Sequence, residues 1–311
     1  AEAWFTPALS KVGDLSKANS IAALPLYHIF ALTACFMVGA RMGSLNILIA
    51  NPRDIDGFIK TLKGFRVSQF PAVNTLYNGL VNHPEFAKLD FSGLRVCNGG
   101  GMAVQQATAE KWKKITGCSI VEGYGLSETS PVATINRLDS GGFTGAIGMP
   151  ISSTEVVILD DAGTVLGTDE VGEIAIRGPQ VMAGYWNRPD ANAEALTADG
   201  WFKTGDIGRI DAEGFLYLID RAKDMIIRAG ENIYCVEVEN ILFEHPDILD
   251  AAIVGVPHKQ MGEEVKAVVQ RRPGSAVTVE DIQAFCRLHL ADFKVPEYVD
   301  IIDDPLPRNP A

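Results

Sequence analysis

Apolar and polar residues alternate along the first half of the chain in a pattern typical of strands followed by helices. Short β-type runs such as RVSQF, LRVCNGGG and SIVEGYG are interleaved with helical runs such as VNTLYNGLVN and AVQQATAEKWKKI. Strands that alternate with helices predict a mostly parallel sheet, in which ligands bind at loops leaving the carboxyl ends of strands. We therefore expect part of a doubly wound α/β domain over residues 1–148, with NGGG and EGYG in such loops.

The pattern changes after residue 148 to strands broken by tight turns. In TEVVILDDAGTVL and IGRIDAEGFLYLID, the turns DAG and AEG separate stretches of alternating apolar and polar residues, which predicts hairpins. Residues 149–222 are therefore expected to form a small antiparallel β subdomain of the same large domain.

Helical and strand patterns mix again from residue 223. VEVENILFEHP and VEDIQAFCRLHL predict helices, whereas DAAIVGVP and EEVKAVVQ predict strands. Thr278, with Asp281 three residues later, is the expected N-cap of the second helix. Residues 223–311 are thus predicted to form a small α+β domain.

Composition narrows the class of protein. A chain of 311 residues with 47% apolar content can bury a sizeable core, and its longest apolar run, from Ile29 to Ala40, is too short to cross a bilayer. A net charge of -12 argues against a nucleic-acid-binding surface, which needs clustered Lys and Arg. Five scattered cysteines without a CxxC pair indicate reduced thiols in a cytoplasmic protein.

Two glycine-containing segments are candidates for chemistry, and each also has a structural interpretation. In CNGGGM, the glycines leave the backbone open to a flat or charged ligand, but such a run also forms plain turns. In EGYGLSETS, Gly123 and Gly125 flank Tyr124, whose ring suits a heterocycle, and the oxygens of residues 127–130 suit phosphate and metal. Polar Ser, Thr and Gly clusters are equally ordinary loop composition.

Further polar residues are ambiguous when taken singly. Asp206 in TGD could accept both hydroxyls of a ribose, although an isolated Asp after a strand more often forms a turn. Asp220 and Arg221 could form a surface ion pair. His28 lies between apolar residues in LPLYHIFA, where a core histidine with a satisfied hydrogen bond is the commoner case.

The order of these segments resembles the adenylate-forming enzymes, the superfamily of acyl-CoA synthetases, peptide-synthetase adenylation domains and beetle luciferases. YGLSETS resembles their nucleotide loop, and TGD followed by DRAKDMIIRAGENIY resembles their second signature. ALPLYHIFAL, GYWNRPDA and DGWFKTGDIG are similar to the bacterial long-chain fatty-acid CoA ligases, and the similarity covers nearly all of the chain.

The resemblance implies an ATP-dependent ligase that activates a fatty acid as an acyl-adenylate and transfers it to coenzyme A, with Mg²⁺ as the metal. A homodimer and peripheral contact with a membrane stay open. By this resemblance, the adenine contacts Gly99, Gly100, Gly101 and Met102, and the nucleotide contacts Glu122, Gly123, Tyr124 and Gly125, with Tyr124 stacked on the base. Thr129 contacts the α-phosphate, Glu128 binds Mg²⁺, Asp206 binds the ribose, and Arg221 binds the ribose and phosphate. His28 lies near the acyl carboxylate, Lys223 is at the interdomain hinge, and coenzyme A contacts Arg228, Ala229, Gly230 and Glu231.

The sequence departs from the family pattern in three places. The phosphate loop ending in Pro-Lys-Gly is absent, and the chain ends at LPRNPA, before the Gly-Lys pair that supplies the adenylation lysine. We therefore expect a chain cut at both ends and inactive by itself. Cys235 stands where many relatives carry Pro, and a packed structural thiol is the expected interpretation.

The same residues are compatible with two alternative functions. The chain could be a non-catalytic fragment that binds a nucleotide or acyl group, or part of an adenylating enzyme that acts on another acid or passes it to a carrier protein. The expected walls of the pocket for the acid are the segments 29–38 and 73–80.

Overall fold

A computed structural model of the chain describes residues 18–138 and 142–307. The first 17 residues of the predicted α/β part and most of LPRNPA therefore lie outside the described residues. Two compact units are present: the first comprises the residues up to Glu170 with Ile174–Thr204 and Arg209–Tyr217, and the second comprises Val171–Glu173, Gly205–Gly208 and the residues from Leu218 onward. The boundaries predicted at 148 and 222 stay predictions.

The first unit is built on a seven-stranded sheet, as the alternating pattern predicted. Its strand order is β2-β1-β3-β4-β5-β6-β7, in which β1 to β5 are parallel and β6 and β7 are antiparallel. The strands are β1 Asn19–Ala22, β2 Leu45–Leu48, β3 Gln69–Ala72, β4 Val96–Gly99, β5 Ile120–Tyr124, β6 Thr134–Ile135 and β7 Met149–Pro150. The helices between them are a π-helix Ala31–Met37, α1 Val38–Met42, α2 Ile55–Leu62, α3 Asn74–Val81 and α4 Gln106–Thr116, with short 3-10 turns at Phe86–Lys88 and Ser127–Thr129.

An aromatic cluster forms the core of this sheet. Trp112 of α4 is fully buried, with its ring edge-on to Tyr77 at 4.6 Å and to Phe70 at 5.1 Å between centroids. The hydroxyl of Tyr77 donates to the carbonyl of Phe70 at 2.6 Å and lies 3.1 Å from that of Asn98. Helices α3 and α4 thus pack on β3 and β4 immediately before the Gly99 loop begins.

A four-stranded antiparallel sheet follows, in the order β11-β10-β9-β8. Its strands are β8 Glu155–Leu159, β9 Gly172–Arg177, β10 Phe202–Ile210 and β11 Leu216–Arg221, and helix α5 Pro189–Ala195 lies between β9 and β10 in sequence. In both predicted turns an Asp side chain holds the backbone, since Asp160 accepts from Thr164 N and Asp211 accepts from Phe215 N. The first predicted hairpin forms: Leu159 pairs antiparallel with Val165, and the backbone N–H groups of Asp160 and Leu166 donate to the carbonyls of Thr164 and Ile158 at 3.0 and 2.8 Å, although its second arm is too short to be a strand.

The second unit contains the C-terminal α+β fold. Strands β12 Ile226–Arg228, β13 Glu231–Ile233, β14 Ile248–His258, β15 Gly262–Arg271 and β16 Tyr298–Ile302 form a sheet of order β13-β12-β15-β14, with β16 parallel to β15. Helices α6 Cys235–Glu244 and α7 Val279–His289 bury Val238, Leu242, Ile282 and Cys286 against it. Both helices and both strands predicted here are confirmed.

The predicted N-cap of α7 is also confirmed. Thr278 Oγ1 accepts from Asp281 N at 3.2 Å, and the carboxylate of Asp281 accepts from Thr278 N at 3.0 Å. This reciprocal pairing satisfies two backbone donors that a helix start otherwise leaves without a partner in the chain.

We expect Thr278→Ala to lower the free energy of unfolding of the second unit by about 1 kcal/mol, because the cap oxygen is lost. Urea denaturation followed by circular dichroism measures the loss. Thr278→Ser is the matched control, since it keeps the oxygen. Equal destabilisation by Ala and Ser would show that the cap contributes nothing.

Candidate functional site

The two glycine segments of the first unit lie side by side at the carboxyl ends of adjacent strands. Gly99 ends β4 and is paired in register with Glu122 of β5. A Cβ at Gly100 would lie 3.4 Å from the carbonyl oxygen of Gly123 and 3.4 Å from the ring of Phe30. Position 100 therefore lies within contact distance of both the second loop and an aromatic side chain. Gly101, at φ 76°, turns the chain away, and Met102 beyond it is 41% exposed.

The loop after β5 is closed on itself by Gly125 and Thr129. A Cβ at Gly125 would overlap the backbone of Pro131, so only glycine permits the two ends of the loop to approach this closely. Thr129 is fully buried, and its hydroxyl accepts from Leu126 N at 2.9 Å and lies 3.1 Å from Pro131 O. These contacts hold the loop in shape; the contact of Thr129 with an α-phosphate stays a prediction.

Tyr124 lies at the start of this loop and is half-buried. It packs beside the apolar cluster formed by Ala133, Ile158, Ile174, Ile176 and Leu216. The stacking of its ring on a base stays a prediction.

Glu128 lies in the middle of the same loop and is held by a segment distant in sequence. Its backbone carbonyl accepts from Met182 N at 2.8 Å, and its Oε1 accepts from the hydroxyl of Tyr185 at 2.8 Å. Burial and the hydrogen bond to Glu128 raise the pKa of Tyr185 to about 12, so the hydroxyl keeps its proton and acts as the donor.

Glu122 is a buried carboxylate directly before the loop, and it is 7% exposed. Burial raises its pKa to about 7, and hydrogen bonds from the backbone N–H groups of Thr144 and Gly145 partly oppose the shift. Asn136 N donates to Glu122 O at 2.8 Å, which fixes the adjacent backbone. The residue therefore carries a proton for much of the time near neutral pH.

His28 is exposed, which makes its interpretation as a core histidine wrong. Its Nδ1 accepts from Phe30 N at 3.2 Å, and the Phe30 ring is the one that approaches Gly100. His28 is thus two residues before Phe30, whose ring contacts the Gly100 position.

One of the segments expected to form the walls of an acyl pocket is residues 73–80. Helix α3 buries Leu76, Tyr77 and Leu80 of this segment in the sheet core, whereas Val73 lies 3.6 Å from the Cβ position of Gly101.

Asp206 and Arg221 meet in the second unit. Asp206 lies within β10 and is 8% exposed, so the turn interpretation is wrong; Arg221 Nε lies 3.7 Å from its Oδ1. The alternative pair of Arg221 with Asp220 is also wrong, since the Asp220 carboxylate accepts from the backbone N–H groups of Arg221 and Val236. Arg221 is itself largely exposed, and this pair therefore adds little stability.

The four residues predicted to contact coenzyme A form one hairpin turn. Arg228 pairs in register with Glu231, and between them Ala229 and Gly230 both have positive φ, at 52° and 89°. Arg228 Nε donates to the buried Glu264 at 2.6 Å, an ion pair that raises the pKa of the arginine and anchors the turn. Lys223 is exposed in an earlier turn.

Cys235 begins α6 and is buried, and its Sγ donates to Asp224 O at 2.9 Å. Burial raises its pKa to about 12. The thiol is packed, as predicted, and its position at the first turn of a helix is one that proline also fits.

Comparison with known proteins identifies the family. The sequence profile of the AMP-binding enzyme family matches residues 3–186, and that of the AMP-binding enzyme C-terminal domain matches residues 237–311. The chain belongs to the AMP-binding enzyme family. The resemblance to adenylate-forming enzymes is therefore confirmed.

Individual members of the family resemble the chain over almost its whole length. It is 45% identical to a long-chain-fatty-acid–CoA ligase of Yersinia pestis over 99% of this chain and 54% of the relative. Among solved structures, ATP-bound MatB from Rhodopseudomonas palustris matches with a TM-score of 0.88 at 30% identity, covering 98% of this chain and 61% of MatB. O-succinylbenzoate coenzyme A synthetase (MenE) from Bacillus subtilis, in complex with ATP and magnesium, matches with a TM-score of 0.84 at 31% identity, covering 98% of this chain and 62% of MenE. The chain spans about half the length of the curated relative.

The side chains of this AMP-binding protein that could bind a metal suit an ion that is also bound by a ligand. Among residues 18–138 and 142–307, no group of three or more His, Cys, Asp or Glu is arranged to hold a metal ion. Mg²⁺ is commonly held by one or two carboxylates together with substrate phosphates, and Glu128, fixed on a loop beside Tyr124, fits that pattern.

Three residues of this AMP-binding fold that contact or support the loop carried no predicted role. Met182 and Tyr185 bind Glu128, and Asn192 holds Tyr185. Of the three, only Tyr185 lies in GYWNRPDA, which contributes to the resemblance as a motif, but only the folded structure shows which side chain this tyrosine contacts.

We expect the stability of the protein to fall as pH rises through about 7, because Glu122 must then ionise while buried. Its folded-state pKa lies above its unfolded value, so its contribution is fully present below about 4.5 and is lost above about 7. Between pH 5 and pH 8, Glu122→Gln should remove about 2 kcal/mol of this decline, as measured by urea denaturation.

Glu110→Gln is the control for that measurement, since Glu110 is exposed and the variant should keep the wild-type pH dependence. A Glu122→Gln variant whose stability declines as steeply as that of the wild type would show that Glu122 ionises at its ordinary pKa.

Proposed function

We propose that the complete natural protein is an AMP-forming acyl-CoA ligase that acts on fatty acids. The observation that carries this proposal is the convergence of the Gly100 and Gly123 loops, with Tyr124 and Glu128 following on a closed loop in a member of the AMP-binding enzyme family. The 45% identity to a long-chain-fatty-acid–CoA ligase supports the substrate class. Fatty acid, ATP and coenzyme A are the proposed substrates, and the scattered cysteines support a cytoplasmic location.

In this proposal the glycine loops bind the adenine and Glu128 binds the metal. Gly99 to Gly101 present backbone groups without side chains, so a flat base can approach them closely. Bound Mg²⁺ supplies positive charge that stabilises negative charge on the phosphates. Asp206 is proposed to accept the ribose hydroxyls, and its burial beside Arg221 favours a fixed geometry.

The proposed reaction has two steps. A carboxylate oxygen of the acid attacks the α-phosphorus of ATP, forming the acyl-adenylate and releasing pyrophosphate. The thiolate of coenzyme A then attacks the acyl carbon, forming the thioester and releasing AMP. The Ala229–Gly230 turn is proposed to contact coenzyme A, and its open space around Gly230 supports that role.

A different acid is the second candidate, because the O-succinylbenzoate synthetase matches the fold nearly as well as MatB does. Thioester formation by the complete protein should be measured over a panel of fatty, dicarboxylic and aromatic acids. We expect the highest kcat/KM with fatty acids. Preference for an aromatic acid would favour the second candidate, and no turnover of any acid would favour a non-catalytic binding role.

We further expect Gly100→Trp to abolish measurable ATP binding, because the indole would fill the space between Gly123 and Phe30. Isothermal titration calorimetry measures the affinity. Gly64→Trp is the matched control, since Gly64 is exposed at the end of α2 and the same substitution there should leave ATP binding unchanged. Wild-type affinity in Gly100→Trp would contradict the adenine assignment.

None of the helices within the described residues has the length and apolar content of a membrane span.

A further inference from the structure

The segment after β9 is attached to the Glu128 loop by three successive hydrogen-bonding contacts. Gln180 Nε2 lies 3.3 Å from Val132 O, and Met182 N donates to Glu128 O at 2.8 Å. Tyr185 then reaches the Glu128 side chain, 57 residues away in sequence. Both the main chain and the side chain of Glu128 are therefore bound by one segment.

Tyr185 is in turn fixed by a single side chain of α5. Asn192 Oδ1 accepts from Tyr185 N at 2.6 Å, and Asn192 Nδ2 donates to Tyr185 O at 3.0 Å. The lack of a side chain at Gly184 permits this approach, since a Cβ there would lie 3.0 Å from the Asn192 amide. The tyrosine hydroxyl is thus held at the end of a clamped backbone, although the ring is 36% exposed.

The two carboxylate oxygens of Glu128 differ in their hydrogen bonding. Oε1 accepts from Tyr185, and no side chain among the described residues donates a hydrogen bond to Oε2. A carboxylate that binds a metal through one oxygen is commonly held by a hydrogen bond at the other, which fixes its rotamer and orients it. Stabilising the loop alone would not require Tyr185 to bind the Glu128 carboxylate, because Met182 already binds the Glu128 backbone.

We propose that Tyr185, clamped by Asn192, is a positioning residue that orients the Glu128 carboxylate toward the Mg²⁺ of the bound nucleotide. This inference rests on the proposed function, in which Glu128 binds the metal. Tyr185 acts through Glu128 and need not touch the substrate.

The test is the Mg²⁺ dependence of ATP binding by the complete protein, measured by isothermal titration calorimetry at a series of Mg²⁺ concentrations. Tyr185→Phe keeps the ring and removes the hydroxyl, and we expect it to raise the Mg²⁺ concentration for half-maximal effect about tenfold. ATP binding without Mg²⁺ should stay within twofold of wild type. Asn192→Ala should shift the Mg²⁺ dependence in the same direction by a smaller factor.

Tyr217→Phe is the matched control, because it removes a hydroxyl that is hydrogen-bonded to Asp211 on another part of the first unit. We expect wild-type Mg²⁺ dependence in this variant. A Tyr185→Phe variant with wild-type Mg²⁺ dependence, or with equally weakened binding at every Mg²⁺ concentration, would overturn the positioning role.

Glu128→Gln separates this inference from the proposed function. If Glu128→Gln weakens the Mg²⁺ effect and Tyr185→Phe does not, the positioning role alone is wrong. If Glu128→Gln keeps the wild-type Mg²⁺ dependence, Glu128 does not hold the metal, and the metal assignment in the proposed function fails together with the role of Tyr185.

Discussion

The candidate site depends on the close approach of the backbone at Gly125 to the backbone at Pro131. Any side chain at position 125 would overlap Pro131, so this contact exists only because the residue is glycine. With the loop closed, the Thr129 hydroxyl can bond both to Leu126 and to Pro131. The shape of the loop that carries Glu128 is therefore set by sterics and by one buried hydroxyl, and Met182 and Tyr185 hold Glu128 itself.

The core beneath the loops keeps their strands in register. Tyr77 is fully buried, and its hydroxyl bonds to carbonyls of both β3 and β4. Because Asn98 immediately precedes Gly99, the same side chain that contributes to the aromatic core also fixes the end of β4. A buried hydroxyl without such partners would cost free energy, so these bonds favour one arrangement of the strands over slipped ones.

Local patterns predicted much of the fold because they report local physics. The alternation of strands and helices, the Thr278 cap and the Asp-held turns after β8 and β10 all depend on residues within a few positions of one another. The hairpin after β8 has a short second arm, because only the residues next to its turn pair with β8. The π-helix gave no signal, since a run that is apolar at every position except Thr33 has no clear period.

Only those residues of the candidate site that lie in recognisable motifs could be predicted from the sequence. The motifs located the glycine loops, Glu128 and Asp206, but not the partners that hold them. Tyr185 and Glu128 are 57 residues apart, and neither spacing nor composition indicates that they touch. The burial of Glu122 was also not evident, because a charged residue within a polar segment is ordinarily taken as exposed.

The π-helix at Ala31–Met37 has a consequence for how this protein could change over evolution. A π turn accommodates one residue more than an α turn, so loss of a single residue could restore α-helical bonding without breaking the flanking segments. Because the π turn absorbs its extra residue locally, the segments on either side would keep their faces after such a deletion. One short deletion would then reshape the π turn alone, a change of backbone that no point substitution makes.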